Sequence, residues 1–512
     1  MSPKTANTIV VIILAVLSLG ILANSMMKPI GRDEHMYCAG GVLMAQGRTI
    51  YKDFSYVAQL PYHPLLYAAL FKILNTSYYL LVGRLVSVIC DILVVLCIVG
   101  IYRNIFGKYK ICGMLMGAVA AVLYVFNPLV DYANGYAWNH DVVILCVMLS
   151  FLLLISTDFT QKSRYRRTAA IGGLLTLATC MRVTTALVQL LFLAALLSQP
   201  GEMMKQRIKT VLPFLVATAV LLIWPVWVIA SAGRAFFLDV VWIPRLYGKW
   251  LYEVGMFRDK FGLILSALRT PGYFVLIVIT VYLCVVIVRQ HRKLAKINGR
   301  ELLFAALLVL VFCVIALIPP TMWRQYLAMP VPFIVVFFAY PLLYLRELAD
   351  KSNYNKQFKI ACTAVAFCAV VTVISYPVVL HRTIFLLVPE GWTPIQLHKV
   401  SQDIAEKTQE PKKILTLAPL FALEGGCNIY TELSCGSIVY RIGDRLSAWN
   451  RDITHTAGPR DLAKMVAKEP PSAVIVNVEK MRFLEEPLIK TAVKPDWEME
   501  VYKSGPVVYF RP

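Results

Sequence analysis

Apolar runs long enough to cross a bilayer recur along this chain, and no water-soluble fold absorbs so many of them. They fall near residues 7–27, 78–102, 112–127, 138–156, 168–181, 184–198, 210–231, 272–290, 302–319, 327–345 and 358–378. Hydrophobic residues make up 58% of the 512 and charged residues 16%, against roughly a quarter charged in a soluble domain. The expectation is a polytopic α-helical membrane protein with about eleven spans. The first run has no small-residue cleavage site after it, so it reads as a retained anchor rather than a removed signal peptide. The pair 168–181 and 184–198 is short, as in a hairpin of broken helices whose backbone faces protein or a cavity.

The net charge of +21 does not point to nucleic acid. Much of the Lys and Arg lies in short links: RNIFGKYK (103–110), QKSRYRR (161–167), KQRIK (205–209), RQHRKLAKINGR (289–300) and RELADKSNYNKQFK (346–359). Counting crossings puts all of these on one side with the N-terminus, which the positive-inside bias makes the cytoplasm. Residues 28–77, 128–139, 232–271, 320–326 and everything after about 379 then face outward. Most of the 12 cysteines lie in apolar spans as small hydrophobes. There is no CxxC and no zinc spacing, and only Cys427 and Cys435 could pair outside the membrane.

Composition changes near residue 381. Short apolar segments, ILTLAP (414–419), AVIVNV (473–478), MEVY (499–502) and VVYF (507–510), alternate with amphipathic stretches at 397–408 and 459–468. That pattern predicts a soluble α/β domain over 381–512, appended to a membrane domain over 1–380.

The outer segment 28–77 is too polar to cross a bilayer and too patterned for a plain connector. It opens with Asp33 and Glu34 just beyond the first span. A Gly-Arg turn, Tyr-Lys-Asp-Phe, Tyr56 and a Pro-Tyr-His-Pro turn holding His63 follow. An interfacial carboxylate can take a proton from a hydroxyl or hold a divalent cation. The second outer link, DYANGYAWNHD (131–141), sets His140 and Asp141 among Tyr and Trp; these rings suit a sugar face or an interfacial belt. Asp141 opens a helix, where capping is an equal reading. His35, His63 and His140 share the outer side with Asp33, although nothing in their spacing specifies a metal.

In the loop 232–271, Arg234, Arg245, Lys249, Arg258 and Lys260 interleave with Phe and Trp. Such a segment lies in the interface plane, where Arg245 and Lys249 can meet an anionic headgroup. Arg182, at the turn of the short helix pair, is either a cavity-lining charge or an interfacial snorkel. Arg84 and Asp91 share a face of the second span and read as structural.

The first outer loop, with its DEHMY acids, Gly-Arg turn, Tyr-Lys-Asp-Phe and Pro-flanked aromatic turn, resembles that of the GT-C fold glycosyltransferases. In pattern it is similar to the protein O-mannosyltransferases and the bacterial lipid A aminoarabinose transferases. A second match is WRQYLAMPVPF (323–333), similar to the family's late Arg-x-Tyr-x-x-x-Pro segment, which carries Arg324 and Tyr326. Where aminoarabinose transferases hold an acidic-basic pair before the Pro turn, this chain reads Ala58-Gln59-Leu60-Pro61. The resemblance implies a GT-C type membrane fold and a polyprenyl-phosphate-linked sugar donor. The acceptor would be a protein, glycolipid or polysaccharide on the outer face of the cytoplasmic membrane. It also implies an essential first-loop acid, at Asp33 or otherwise Glu34. A lipid-linked sugar transporter or flippase is the rival reading, but no internal repeat of the kind many transporters carry is present. A noncatalytic factor for envelope polysaccharide assembly is a third.

Overall fold

In a computed structural model of the chain, the described residues are 2–199, 203–257, 259–294, 299–319, 322–351, 355–503 and 505–512. Arg258, named above, lies outside them. The N-terminal part is a helical bundle. Helix α1 (Pro3–Met27) is followed by the short α2 (Arg32–Ala45) and α3 (Tyr62–Leu74). Next come α4 (Tyr79–Ile105), α5 (Lys110–Val125), α6 (Pro128–Ala133), α7 (His140–Ile155), α8 (Ser163–Thr179) and α9 (Ala186–Leu197). After α10 (Met204–Ser231) the 232–271 segment breaks into α11 (Gly233–Phe237), a π turn at Leu238–Trp242, α12 (Ile243–Glu253) and α13 (Lys260–Leu268). The bundle closes with α14 (Pro271–Leu294), α15 (Gly299–Leu317), α16 (Val331–Phe337), α17 (Ala339–Lys351), α18 (Asn355–Ser375) and α19 (Val378–Ile384).

Eight helical segments among the described residues are long and apolar enough to cross a bilayer. The runs at 138–156, 168–181 and 184–198 become α7, α8 and α9, of 16, 17 and 12 residues. At 1.5 Å per residue each is shorter than the roughly 30 Å apolar layer. The run at 327–345 is the most enclosed, with 94% of its apolar window buried. Its Phe333 stacks on Phe312 of α15 at 4.2 Å.

The tail starts with α20 (Thr393–Lys407) and builds a five-stranded sheet in the order β2-β1-β3-β5-β4. Strands β1 (Lys413–Thr416), β2 (Asn428–Ile429) and β3 (Ala473–Val476) are parallel. Strands β4 (Glu498–Val501) and β5 (Val507–Phe510) form an antiparallel pair added beside β3. Four of the five coincide with the short apolar segments; the two-residue β2 is too short to leave a sequence signal. Between the strands lie α21 (Pro419–Leu423), α22 (Ser437–Gly443), α23 (Ala448–Thr454), α24 (Leu462–Lys468) and α25 (Glu486–Ala492). Cys427 and Cys435 are both buried and free; the Cys435 thiol donates to the Ser55 carbonyl at 3.1 Å. No bond joins the two thiols.

The tail is not a loose appendage. Its α21 ends at Glu424, which accepts from the Leu80 amide at the start of α4 at 2.7 Å and pairs with His398 at 3.2 Å. Tyr78 stacks on His398 at 3.6 Å. The tail and the first loop therefore meet at one end of the bundle. In an open α/β sheet, ligands gather outside the carboxyl ends of the parallel strands. Here the residues following β3 abut α2.

Candidate active site

Asp33 and Glu34 are neighbours with opposite fates, because successive helical residues point about 100° apart. Glu34 turns inward and is fully buried. Its two oxygens take Arg84 Nε at 2.9 Å and the Arg84 terminal nitrogen at 2.8 Å. They also accept the Gly31 and Ala137 amides, both at 2.7 Å. With four donors its hydrogen-bonding capacity is taken up, so the Glu34 carboxylate is a structural pin and has no room to act as a base. Arg84 spends its other donors on the Ser25, Lys28 and Pro29 carbonyls at 2.7–3.0 Å, which are orphan acceptors at the end of α1.

Asp33 turns the other way. It is half-buried, and its side chain has no hydrogen bond or ion pair among the described residues. Burial raises its carboxyl above the usual range, against the opposing pull of Arg32 and Arg441. One turn on, Tyr37 lies in the combined field of Asp33, Arg182 and Tyr326. The Arg182 guanidinium sits over the Tyr326 ring at 5.0 Å. Apart from that ring, the Arg182 side chain has no partner among the described residues. The extended turn that carries it is held in place. The Cys180 carbonyl accepts the Tyr62 amide at 3.3 Å, and the Met181 carbonyl accepts Asn139 at 2.8 Å. Asn139 in turn donates to Gln59 at 2.7 Å. Among the described residues, Tyr37 and Tyr326 thus lie in the field of both an unpaired carboxylate and an unpaired guanidinium.

Arg324 is half-buried over the Tyr132 ring at 5.7 Å, with its Nε unpartnered among the described residues. It shares the field of Tyr376 with Arg382, part of a cationic group that no local pattern announces. Lys28 donates to the Asp131 and Asn134 carbonyls, and Arg382 pairs with Asp131 at 2.9 Å. His140 is buried within the fields of Arg182 and Lys28. Asp141 accepts the Gly135 amide at 3.0 Å, fixing the 134–139 turn.

Of four other expected substrate contacts, two are buried and two are exposed. His63 is fully buried against Tyr37 and Tyr67, at 4.9 and 4.3 Å, with both ring nitrogens unpartnered. Tyr56 is fully buried behind Tyr37, at 6.1 Å. Arg245 and Lys249 are exposed on the outer face of α12. The helical period turns Ile243, Tyr247 and Trp250 inward and sends those two cations the opposite way. Arg245→Ala and Lys249→Ala should therefore each leave stability within about 0.5 kcal/mol of the parent, read by denaturant unfolding. Among the described residues no three His, Cys, Asp or Glu side chains gather as metal ligands. His35 faces Phe421 while His63 is in a ring cluster.

Several residues were not foreseen. Asp239, in the π turn, accepts Ser55 Oγ at 2.6 Å and the Tyr56 amide at 3.1 Å, pinning the first loop to the 232–271 segment. Burial pushes its carboxyl up to about 7. Arg441 and Glu479 reach the site from the tail. Arg441 pairs with Glu479 at 2.7 Å and donates to Tyr247 at 2.9 Å, and Glu479 also holds Arg32 at 2.8 Å. Being far from α2 in sequence, they leave no local pattern to read.

Residues 59–229 match the dolichyl-phosphate-mannose-protein mannosyltransferase family. No curated protein matches the sequence. Among solved structures, ArnT from Cupriavidus metallidurans bound to undecaprenyl phosphate is similar at a TM-score of 0.59 and 12% identity, over 99% of this chain and 98% of that one. Its apo form gives 0.57 at 13% identity, over the same shares. The apo oligosaccharyltransferase from Archaeoglobus fulgidus gives 0.52 at 11%, over 98% of this chain and 74% of that one. This chain has the GT-C glycosyltransferase fold.

Proposed function

We propose that this protein transfers a sugar from a polyprenyl-phosphate-linked donor to an acceptor hydroxyl, on the outer face of the cytoplasmic membrane. The observation that carries the reading is that the Asp33 carboxylate and the Arg182 guanidinium, neither of them ion-paired among the described residues, act on the same Tyr37 and Tyr326. The similarity to ArnT, a protein crystallised with undecaprenyl phosphate, supports the choice of lipid.

In this reaction the acceptor oxygen forms a bond to the anomeric carbon. The bond from that carbon to the phosphate oxygen breaks, and polyprenyl phosphate leaves with the electron pair. The acceptor proton passes to Asp33, a positioned general base. The leaving group is already an anion, so the site needs cations more than it needs an acid. Arg182 and Tyr326 offer donors, and Arg324, half-buried over Tyr132, adds a second cation. The outward-facing Arg245 and Lys249 have no part in it.

Radiolabelled polyprenyl-phosphate sugars, supplied with envelope acceptors, should yield free polyprenyl phosphate only when acceptor is present. Release without acceptor, or vectorial movement of the lipid without release, would overturn the assignment. Arg182→Gln should weaken undecaprenyl phosphate binding by about 1.5–3 kcal/mol, roughly 10- to 150-fold, the value of a hydrogen bond to a charged group. Unchanged binding would remove Arg182 from the phosphate site.

A further inference from the structure

The tail domain also bears on Asp33. The chain leaves β3 through Asn477, whose φ of 64° is the left-handed conformation that Asn tolerates. Glu485 then gathers three successive amides: Asn477 at 2.9 Å, Val478 at 3.1 Å and Glu479 at 3.1 Å. Asn477 adds a bond to the Gly505 carbonyl at 2.6 Å. A carboxylate spent on backbone amides in this way fixes one turn, and the residue which that turn presents is Glu479.

Glu479 is fully engaged. It accepts Arg32 Nε at 2.8 Å, Ser437 Oγ at 2.6 Å and the Arg441 guanidinium at 2.7 Å. Arg32 is the residue beside Asp33, and Arg441 is the other cation in its field. Both are thus drawn toward the tail carboxylate, while Asp33 has no ion pair among the described residues. We propose that Glu479, delivered by the tail domain, is a positioning residue that holds Arg32 and Arg441 off Asp33 and so keeps that carboxylate available as a proton acceptor. An Asp33 ion-paired to either arginine would be a weaker base, and the arginine would occupy the acceptor's place.

This inference rests on the reading of Asp33 as the base, but its test needs no sugar donor. The groups facing Asp33 are Arg32, Glu34 and Tyr37 on its own helix, Tyr326 from the turn before α16 with Arg182 over its ring, and Arg441 and Glu479 from the tail. Dicyclohexylcarbodiimide labels protonated carboxyls, and mass spectrometry of the peptide containing Asp33 reads its protonation against pH. In the full-length protein the labelling midpoint should lie above the ordinary carboxylate range. Glu479→Gln should free both arginines to pair with Asp33 and move the midpoint down by about one to three pH units. Glu479→Asp, which keeps the charge, should hold it near the parent value.

A midpoint unmoved by Glu479→Gln overturns the proposal, even if that variant is less stable, because a purely structural role would not touch the titration of Asp33. Should Glu479→Gln fail to fold, Glu485→Gln decides. That residue touches neither arginine, yet loosening its turn should shift the midpoint in the same direction by a smaller amount, and no shift overturns the proposal. Failure of sugar transfer alongside the expected labelling pattern would sink the function proposed above and leave the Glu479 assignment standing.

Discussion

Asp33→Asn is expected to lower sugar transfer by about 10²- to 10⁴-fold, the range for loss of a positioned general base. At about 1.4 kcal/mol per factor of ten, that is roughly 3–5 kcal/mol of barrier. The substitution is isosteric and breaks no hydrogen bond, since the Asp33 side chain makes none among the described residues. Stability and binding of undecaprenyl phosphate should therefore survive, and the loss should fall on the chemical step. The pH dependence has a definite sign. A base works deprotonated, and burial raises the Asp33 carboxyl, so activity should fall as pH drops through a midpoint above the ordinary carboxylate range. In Asp33→Asn that acid limb should vanish from the residual rate. Undiminished transfer would remove Asp33 from the mechanism.

What the sequence could disclose followed the range of its interactions. The membrane helices were legible because a span declares itself over about 20 consecutive residues. The tail strands were legible for the same reason on a shorter scale. Asp33 stood out because it falls directly after a span, in a loop with too few charges to be plain solvent-facing linker. Its separation from Glu34 was not legible. Two adjacent acids look alike until Arg84, 50 residues on, claims one of them. Arg245 and Lys249 were read by composition, whereas α12 sorts its residues by face and leaves both exposed. Arg182 was visible as a charge at a helical turn, but only the fold brings Tyr326 beneath it. Glu479 and Arg441 were out of reach, since nothing local distinguishes a domain-docking ion pair from a solvated one.

Arg84→Met should cost about 3–5 kcal/mol of stability, the penalty for breaking a buried ion pair from one side. Both side chains of that pair are fully shielded from solvent. Without Arg84, Glu34 keeps the Gly31 and Ala137 amides but loses its countercharge, and the Ser25, Lys28 and Pro29 carbonyls lose their donors. A buried anion and three orphaned acceptors then sit where α1 hands over to α2, a single turn from Asp33. Stability and transfer should fall together, unlike in Asp33→Asn, where transfer alone falls. The double variant Arg84→Met with Glu34→Leu separates the causes. Removing both charges should restore part of the stability, because an apolar pair can replace a buried ion pair at little cost. It should not restore transfer, because the α1 carbonyls remain uncapped and α2 loses the pin that aims Asp33. Denaturant unfolding in detergent and the transfer assay, run on the same four proteins, read both quantities. Should Arg84→Met unfold like the parent, the Glu34–Arg84 pair would not be what holds the first loop in place.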